Sequence, residues 1–590
     1  MIATPNRRIR PLLPIALLAF LFAAPRAHAQ APIEPAQLPS RTAFYIVWRG
    51  EPAGDIRKSN NLFALWDDSE FAPVRAAMFD NITNSASGGE KSTAKPGLTP
   101  AEAQEYSALL ENGFVLGYLS KPDSKMTASA TPPKPPAPGS NSARPEKWNG
   151  LFFIYNRDGK EALLSKAVLR MRNNEKELPQ LSQTTIAGIP ALKVQRKTET
   201  TYWVEHGKYA ASANDPSVLE QILPRLEGAT LPDSLSQSAA FQEAQPHLGG
   251  VLELFGAIPA LKNNAEGTSN GFYLPAVLTA IKLDAVRSIS GHVTLDGAKT
   301  RFQGVILGDT APGSLLDLWP EGVDSPPSLA IMPPNAISYS ESQFDLPAFY
   351  QVLKRGLAAM SPGQNPSMMV EMMAQQKLGM PLVDALALPT GEFTSMQLSP
   401  ALDPDKSIYV FGIHKKAETL KLMRTLLGEQ IISERTEGDT TFLKISLNAK
   451  QNTKGVAGWN FYHLGVTPNF IYGAPKFESV KEAIAGKDTM HTMVLTPLQE
   501  ARPDYPAKIN GLYFFDFSKV DWSAAKTRWL EEATKSAAKP TATADQKAAT
   551  AKAHHVLAEA NPATLQRHLH TMVGASWKDE KGIHFDQWIQ

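Results

Sequence analysis

One serine of this sequence stands in a motif typical of hydrolase nucleophiles. Residues Gly267-Thr268-Ser269-Asn270-Gly271 match G-x-S-x-G, the pattern in which a tight turn between a strand and a helix exposes a nucleophilic serine. The preceding residues 262–264 are Lys-Asn-Asn, which is typical of a polar loop. Because the strand that this turn requires is missing, we interpret Ser269 as an ordinary loop residue.

Serine and lysine residues also occur three times with S-x-x-K spacing. The three pairs are Ser92/Lys95, Ser523/Lys526 and Ser536/Lys539. Such a pair could let the lysine deprotonate the serine on one face of a helix. Only Ser523 lies at a predicted helix start, where it is also suited to cap the helix, and no S-D-N or K-T-G partner motif accompanies it. A serine hydrolase that uses Ser523 and Lys526 therefore stays an alternative.

Four histidines near the end of the chain are the densest group of possible metal ligands. They are His554, His555, His568 and His570. Two helices joined near Pro562 could bring them around a metal ion, but no H-E-x-x-H spacing is present. We favour solvent-facing histidines here, and polar turn residues for His206 and His463. The sequence gives no reason to assign a catalytic, metal-binding or cofactor-binding residue.

Composition excludes several classes of function. The sequence has no cysteine, which excludes disulfides, thiolate zinc sites and cysteine nucleophiles. It also lacks G-x-G-x-x-G, P-loop and EF-hand motifs, so nucleotide and calcium functions are not expected. The 59 basic and 58 acidic residues nearly balance, which gives no electrostatic footprint for nucleic acid. With 590 residues, 43% of them hydrophobic, we expect at least two domains.

The first 29 residues have the pattern of a cleaved secretory signal. Arg7, Arg8 and Arg10 precede an apolar run over residues 12–24, and Ala27-His28-Ala29 matches a signal peptidase site. A retained anchor is the alternative, but the run is shorter than the roughly 20 residues that a bilayer requires. We therefore expect cleavage after Ala29 and a periplasmic or secreted protein. No later segment is apolar for long enough to span a membrane.

Residues 201–228 predict a compact unit of strand, turn, strand and helix. Tyr202, Trp203 and Val204 favour a strand, and Gly207 falls in a short polar turn. Asp215 is a good helix N-cap, and Pro216 fits the first turn of a helix. The helix should bury one face, formed at helical spacing by Val218, Leu219, Ile222, Leu223 and Leu226.

The same unit recurs at residues 459–486, which predicts an internal duplication. Trp203 matches Phe461 and Gly228 matches Gly486 at a spacing of 258 positions, and Leu192-Lys193-Val194 matches Leu443-Lys444-Ile445 at a spacing of 251. Residues 574–589 match 291–306 at a spacing of 283. Several matches in one order are typical of a repeat rather than of chance.

We therefore predict an α+β fold of two tandem related modules, over residues 38–310 and 331–590. Each module should be a mainly antiparallel sheet covered on one face by amphipathic helices. Module 1 should contain disordered loops at 84–100 and 121–148, which are rich in small residues and proline. Module 2 should contain a low-complexity insert at 531–556, either flexible or a solvent-facing helix.

A duplicated, exported chain with this order of elements resembles an uncharacterised family of secreted bacterial proteins with no assigned activity. The resemblance implies a non-cytoplasmic α+β protein and no catalytic residue to carry over. We expect a non-enzymatic protein that binds or scaffolds an envelope partner. The alternatives are the serine hydrolase above and a carrier for an apolar ligand held between sheet and helices.

Overall fold

The computed structural model describes twelve ranges of the chain. They are residues 33–52, 54–78, 110–121, 149–161, 180–195, 200–226, 231–265, 274–360, 366–446, 462–486, 506–538 and 543–590. The predicted signal peptide at 1–29 and the predicted loop at 84–100 lie outside these ranges, and so does the predicted loop at 121–148 except for its first residue.

The described residues form twenty strands, ten in each half of the chain. In the first half they are β1 Thr42–Trp48, β2 Phe114–Leu119, β3 Leu151–Asn156, β4 Gln180–Ile186, β5 Ile189–Gln195, β6 Thr200–His206, β7 Tyr209–Ala213, β8 Leu252–Ala257, β9 Val286–Asp296 and β10 Lys299–Gly308. In the second half they are β11 Ser338–Gln343, β12 Pro389–Gln397, β13 Ser407–Ile413, β14 Ile431–Glu437, β15 Thr440–Ile445, β16 His463–Val466, β17 Phe470–Ala474, β18 Gly511–Asp516, β19 Thr571–Lys578 and β20 Gly582–Ile589.

All these strands belong to one antiparallel sheet. Hydrogen-bonded neighbours in the first half follow the order β4-β5-β6-β7-β3-β2-β1-β8-β9-β10. In the second half they follow the order β14-β15-β16-β17-β13-β12-β11-β18-β19-β20. The halves meet where β10 pairs with β20, in a ladder from Thr300↔Ile589 to Leu307↔Gly582.

The helices lie in the connections between strands. In the first half they are α1 Gly54–Ser59, α2 Asn61–Asp67, α3 Pro216–Leu226, α4 Ala239–Ala244, α5 Ile258–Ala265 and α6 Leu274–Ala280. In the second half they are α7 Leu346–Met360, α8 Pro366–Leu378, α9 Leu382–Leu386, α10 Lys416–Leu427, α11 Phe477–Ala485, α12 Trp522–Ala537, α13 Ala544–Glu559 and α14 Pro562–His568. Within the described ranges, none of the helices combines the length and the hydropathy that a membrane span requires.

Helices cover both faces of the sheet, so the prediction of a single covered face is wrong. In the first half, Val47 of β1 shares a core cluster with Leu219 of α3, whereas the next residue, Trp48, packs with Phe63 of α2. Consecutive strand residues point to opposite faces of a sheet. The sequence periodicity of α3 predicts that this helix has a buried face, but it does not show which side of the sheet that face covers.

The predicted unit at 201–226 is confirmed. Strands β6 and β7 pair across the turn at Gly207, which has φ of +54°, and Asp215 Oδ1 accepts a hydrogen bond from Ser217 N at 2.9 Å. The buried side chains of α3 include all five that the spacing predicted. The segment 531–556 belongs to α12 and α13 over its described residues, which favours the helical alternative for this insert.

Candidate functional site

The structure gives the lysine of the proposed serine–lysine pair two backbone partners. Lys526 Nζ donates hydrogen bonds to the carbonyl oxygens of Ala558 and Ala560, both at 2.7 Å. Ser523 lies in the first turn of α12, whose N-cap is Asp521, because Asp521 Oδ1 accepts a hydrogen bond from Ala524 N at 2.9 Å. The interpretation of Ser523 as the cap is therefore wrong. Ser92, Lys95, Ser269 and Lys539 lie outside the described residues.

A cavity of about 530 Å³ lies beside Ser523. Its lining includes four charged side chains, those of Arg528, Glu531, Glu532 and Lys535. Apolar ligands bind in cavities lined mainly by apolar side chains, since a charged lining stays hydrated. This cavity does not have the lining that the alternative of an apolar-ligand carrier requires.

The four C-terminal histidines do not form a metal centre. Among the residues that the structure describes, no group of three or more His, Asp or Glu side chains is arranged to hold an ion. His554 and His555 lie on α13, whereas His568 Nε2 lies 3.0 Å from Asp68 Oδ2 of the first half. The same Asp68 carboxylate accepts a hydrogen bond from Arg567 at 2.7 Å. His568 therefore takes part in a contact between the two halves.

Exposed apolar side chains are concentrated in one short stretch of the second half. Sixteen large apolar side chains are classed as exposed among the described residues, and eight of them lie between residues 349 and 383. We call these eight the methionine-rich surface: Phe349, Leu353, Met360, Met368, Met369, Met372, Met373 and Val383. Scattered exposed apolar residues are ordinary, whereas a large contiguous apolar patch is typical of an interaction site.

Helix α7 carries the first part of this surface and is fixed firmly to the fold. Asp345 Oδ1 accepts a hydrogen bond from Ala348 N at 2.7 Å, which caps its first turn. Gly356 lets α7 approach α6, because a Cβ there would lie 3.3 Å from Ile281 Cγ2. Phe349 and Leu353 of the same helix stand four residues apart and are each 43% exposed.

Helix α8 carries the four clustered methionines. It begins at Pro366, whose missing N–H is not needed in a first turn, and the chain leaves it through Gly379 at φ of +68°. Met368, Met369, Met372 and Met373 are 56%, 57%, 58% and 50% exposed. At helical spacing these residues share one side of α8, and that side faces solvent.

A polar contact joins α7 to α8. Lys354 Nζ and Tyr350 Oη of α7 both donate to Glu371 Oε1 of α8, at 2.9 and 3.0 Å. The hydrogen bond from Lys354, and then that from Tyr350, lower the pKa of Glu371. Burial, followed by the hydrogen bond to Glu371, raises the pKa of Tyr350 to about 12. Glu371 is therefore ionised at neutral pH and holds the two helices in register.

Sequence reasoning missed this surface, although its signal was present in the run Met368-Met369-Val370-Glu371-Met372-Met373. A helical wheel places the four methionines on one side of a helix and Val370, Ala374 and Leu378 on the other. Both sides are apolar, so periodicity alone could not identify which side is buried. Comparisons with protein-family models, with curated proteins and with solved structures give no match for this chain.

Proposed function

We propose that this chain is a non-enzymatic exported binding protein of the cell envelope, and that it binds its partner through the methionine-rich surface. One observation carries this proposal. Among the described residues, half of the exposed large apolar side chains lie between positions 349 and 383. Leaving this area in water costs free energy that a bound partner would recover. The polar environment of Lys526 supports a function other than serine hydrolysis.

The partner that fits this surface best is an amphipathic helix of another protein. Most of its side chains lie on the two helices α7 and α8, where they stand three and four residues apart, as in sites that receive the apolar face of a helix. Methionine side chains are unbranched and adaptable, which suits them to such recognition. Lys354 and Glu371 form a salt bridge with each other. Binding should therefore depend little on salt.

The architecture that presents this surface is consistent with two tandem copies of one module, over residues 38–310 and 331–590. The two halves repeat one order of ten strands, and their last hairpins pair Gly291 with Gly304 and Gly574 with Gln587, at the predicted spacing of 283. Tyr45 of β1 and Tyr339 of β11, the corresponding strands, are both fully buried. These correspondences support duplication followed by divergence of the connections between strands.

A site-specific crosslink tests the binding surface. Leu353 is replaced by a photo-reactive phenylalanine analogue, and the chain is illuminated in its native host. We expect a discrete adduct with another protein, because the analogue lies within the proposed contact. Adding Met372→Glu should abolish this adduct, because a carboxylate in an apolar contact loses its hydration without gaining a partner.

The matched control carries the same analogue at Ile56, an exposed helical residue of the first half that is 41% exposed. We expect no adduct there. An adduct of twice the chain mass would instead identify a second copy as the occupant, and a lipid adduct would identify a membrane surface. Equal yields at Leu353 and Ile56 would refute a binding role for this surface.

A further inference from the structure

The methionine-rich surface presents sulfur as well as apolar area. Of the sixteen methionines in the sequence, five lie between residues 360 and 373, and all five are exposed. Outside the methionine-rich surface, the exposed large apolar side chains of the described residues are Ile, Leu, Tyr and Phe. Leucine would supply the same area and is an equally good helix former, so apolar contact alone does not account for methionine at these positions.

Three of these thioethers have a spacing that lets them meet. Met369, Met372 and Met373 stand at positions i, i+3 and i+4 of α8, where Cβ atoms lie about 5–6 Å apart. Each methionine has three rotatable bonds beyond Cα, so the sulfur atoms can converge above the helix without any backbone movement. All three side chains are at least half exposed, so an ion can reach them from solvent.

Thioether sulfur is a soft, uncharged ligand. Such ligands select monovalent copper over zinc, magnesium and calcium, which prefer imidazole, carboxylate or carbonyl groups. The carboxylate on α8 is that of Glu371, whose Oε1 accepts hydrogen bonds from Lys354 and Tyr350 of α7. The chain has no cysteine, so methionine is its only source of sulfur ligands.

We propose that Met369, Met372 and Met373 form a site for Cu(I) on the exposed side of α8. Three neutral thioethers would give the ion a trigonal set of soft ligands, and the arrangement offers no hard ligand for a divalent ion. The ion is bound without any change in oxidation state. The proposal shares the location of the proposed binding surface, but it depends on the sulfur atoms and not on the apolar area.

The test is competition for Cu(I) under anaerobic conditions between the full chain and a chromophoric Cu(I) chelator. We expect the wild-type chain to remove one Cu(I) from the chelator, and Zn(II) to have no effect. The triple variant Met369→Leu/Met372→Leu/Met373→Leu should bind about 100-fold more weakly or not at all. Leucine keeps the helix propensity and the apolar area, so the variant should fold normally.

A second readout identifies the ligands directly. With methyl-labelled methionine, Cu(I) or the closely related Ag(I) should shift the methyl signals of Met369, Met372 and Met373. The signals of the buried Met332 and Met396 should stay in place. If the wild-type chain does not compete with the chelator, or if the triple leucine variant competes equally well, the copper site is refuted.

These experiments distinguish a failure of the proposed copper site from a failure of the proposed binding surface. The triple leucine variant keeps the apolar area, so it should retain the crosslink at position 353 while it loses Cu(I). A Phe349→Ser/Val383→Ser variant that carries the analogue at position 353 should show the reverse, since it keeps all the methionines and loses part of the apolar area. Loss of Cu(I) binding in the serine variant would contradict the assignment of the ion to the three methionines.

Discussion

Glu341 of β11 is a buried carboxyl group in the second half of the sheet. Its side chain is 4% exposed, and the register of the sheet pairs it with Thr394 of β12. Burial, followed by the negative charge of Glu392, raises the pKa of Glu341 to about 9. Both effects disfavour the ionised form, so Glu341 is protonated at neutral pH in the folded chain.

Glu392 belongs to a buried hydrogen-bonded cluster. Ser328 Oγ lies 2.8 Å from Tyr339 Oη and 2.6 Å from Thr394 Oγ1, and Ser328 N donates to Glu392 Oε1 at 2.9 Å. Buried polar groups of this kind are tolerated because their partners replace water. The cluster is a structural feature of the second half, and it lies apart from the methionine-rich surface.

Replacing Glu341 with glutamine should change how stability depends on pH. The unfolded carboxyl ionises near its ordinary pKa of 4.5 while the folded one stays neutral to about 9, so folding is opposed increasingly as pH rises between these values. Glu341→Gln removes that penalty. Chemical denaturation should show the variant more stable than wild type by about 5 kcal/mol at pH 8, with little difference at pH 4 to 5.

The control for this prediction is Glu434→Gln. Glu434 lies on β14, and its hydrogen bond with Arg424 lowers its pKa instead of raising it. That variant should not gain stability at pH 8. If Glu341→Gln showed the same pH dependence as wild type, the carboxyl would have to be ionised in the folded state.

Single residues were the hardest features to predict from sequence. The serine and histidine motifs were visible, but their spacing could not reveal that Lys526 binds two backbone carbonyls or that His568 reaches Asp68. Glu341 lies in the polar run Ser338-Tyr339-Ser340-Glu341-Ser342-Gln343, which gives no sign of burial. Its environment comes from β12 and β18, which are distant in the chain.

Helix α7 is the element that positions the methionine-rich surface, and its N-terminus depends on Asp345. Asp345→Ala removes the side chain that accepts a hydrogen bond from Ala348 N, which should destabilise the helix by about 1 kcal/mol. Hydrogen exchange should show faster exchange for the amides of α7 than in wild type. Asp345→Asn is the matched control, because asparagine caps equally well. Equal exchange in both variants would show that the cap does not support α7.

Elements with one apolar face were predicted well, but their alignment between the halves was not. The predicted match paired Leu219 with Phe477, whereas α3 begins at Pro216 and α11 at Phe477, so the helix starts are 261 positions apart instead of 258. The buried positions agree with the new spacing, since Leu219 corresponds to Val480 and Ile222 to Ala483. Three residues are nearly one helical turn, so apolar periodicity fits both alignments.

At the scale of the whole molecule, one sheet runs through both halves. The β10–β20 ladder joins them, and Arg301 Nε of β10 donates a hydrogen bond to Asp586 Oδ1 of β20 at 2.9 Å. Connections between strands also cross from one half to the other, as when Gly356 of α7 packs on Ile281 beside α6. The sequence repeat predicted related halves, but the edge at which they join depends on contacts that no repeat encodes.

The two halves differ most in the connection between their first two strands. In the first half, α1 and α2 follow β1, and Leu62, Phe63 and Trp66 of α2 are buried against the sheet. In the second half, α7, α8 and α9 occupy the equivalent connection and carry the methionine-rich surface. Among the described residues, the proposed binding surface therefore belongs to the second half.

Methionine oxidation, measured by mass spectrometry, tests the central claim most directly. Dilute peroxide is applied to the purified chain and to the chain in its native envelope, and the sulfoxide yield at each methionine is compared. Our account predicts rapid oxidation of Met368, Met369, Met372 and Met373 in the purified chain and strong protection of the same four in the envelope. Equal oxidation of these residues in both states would contradict it.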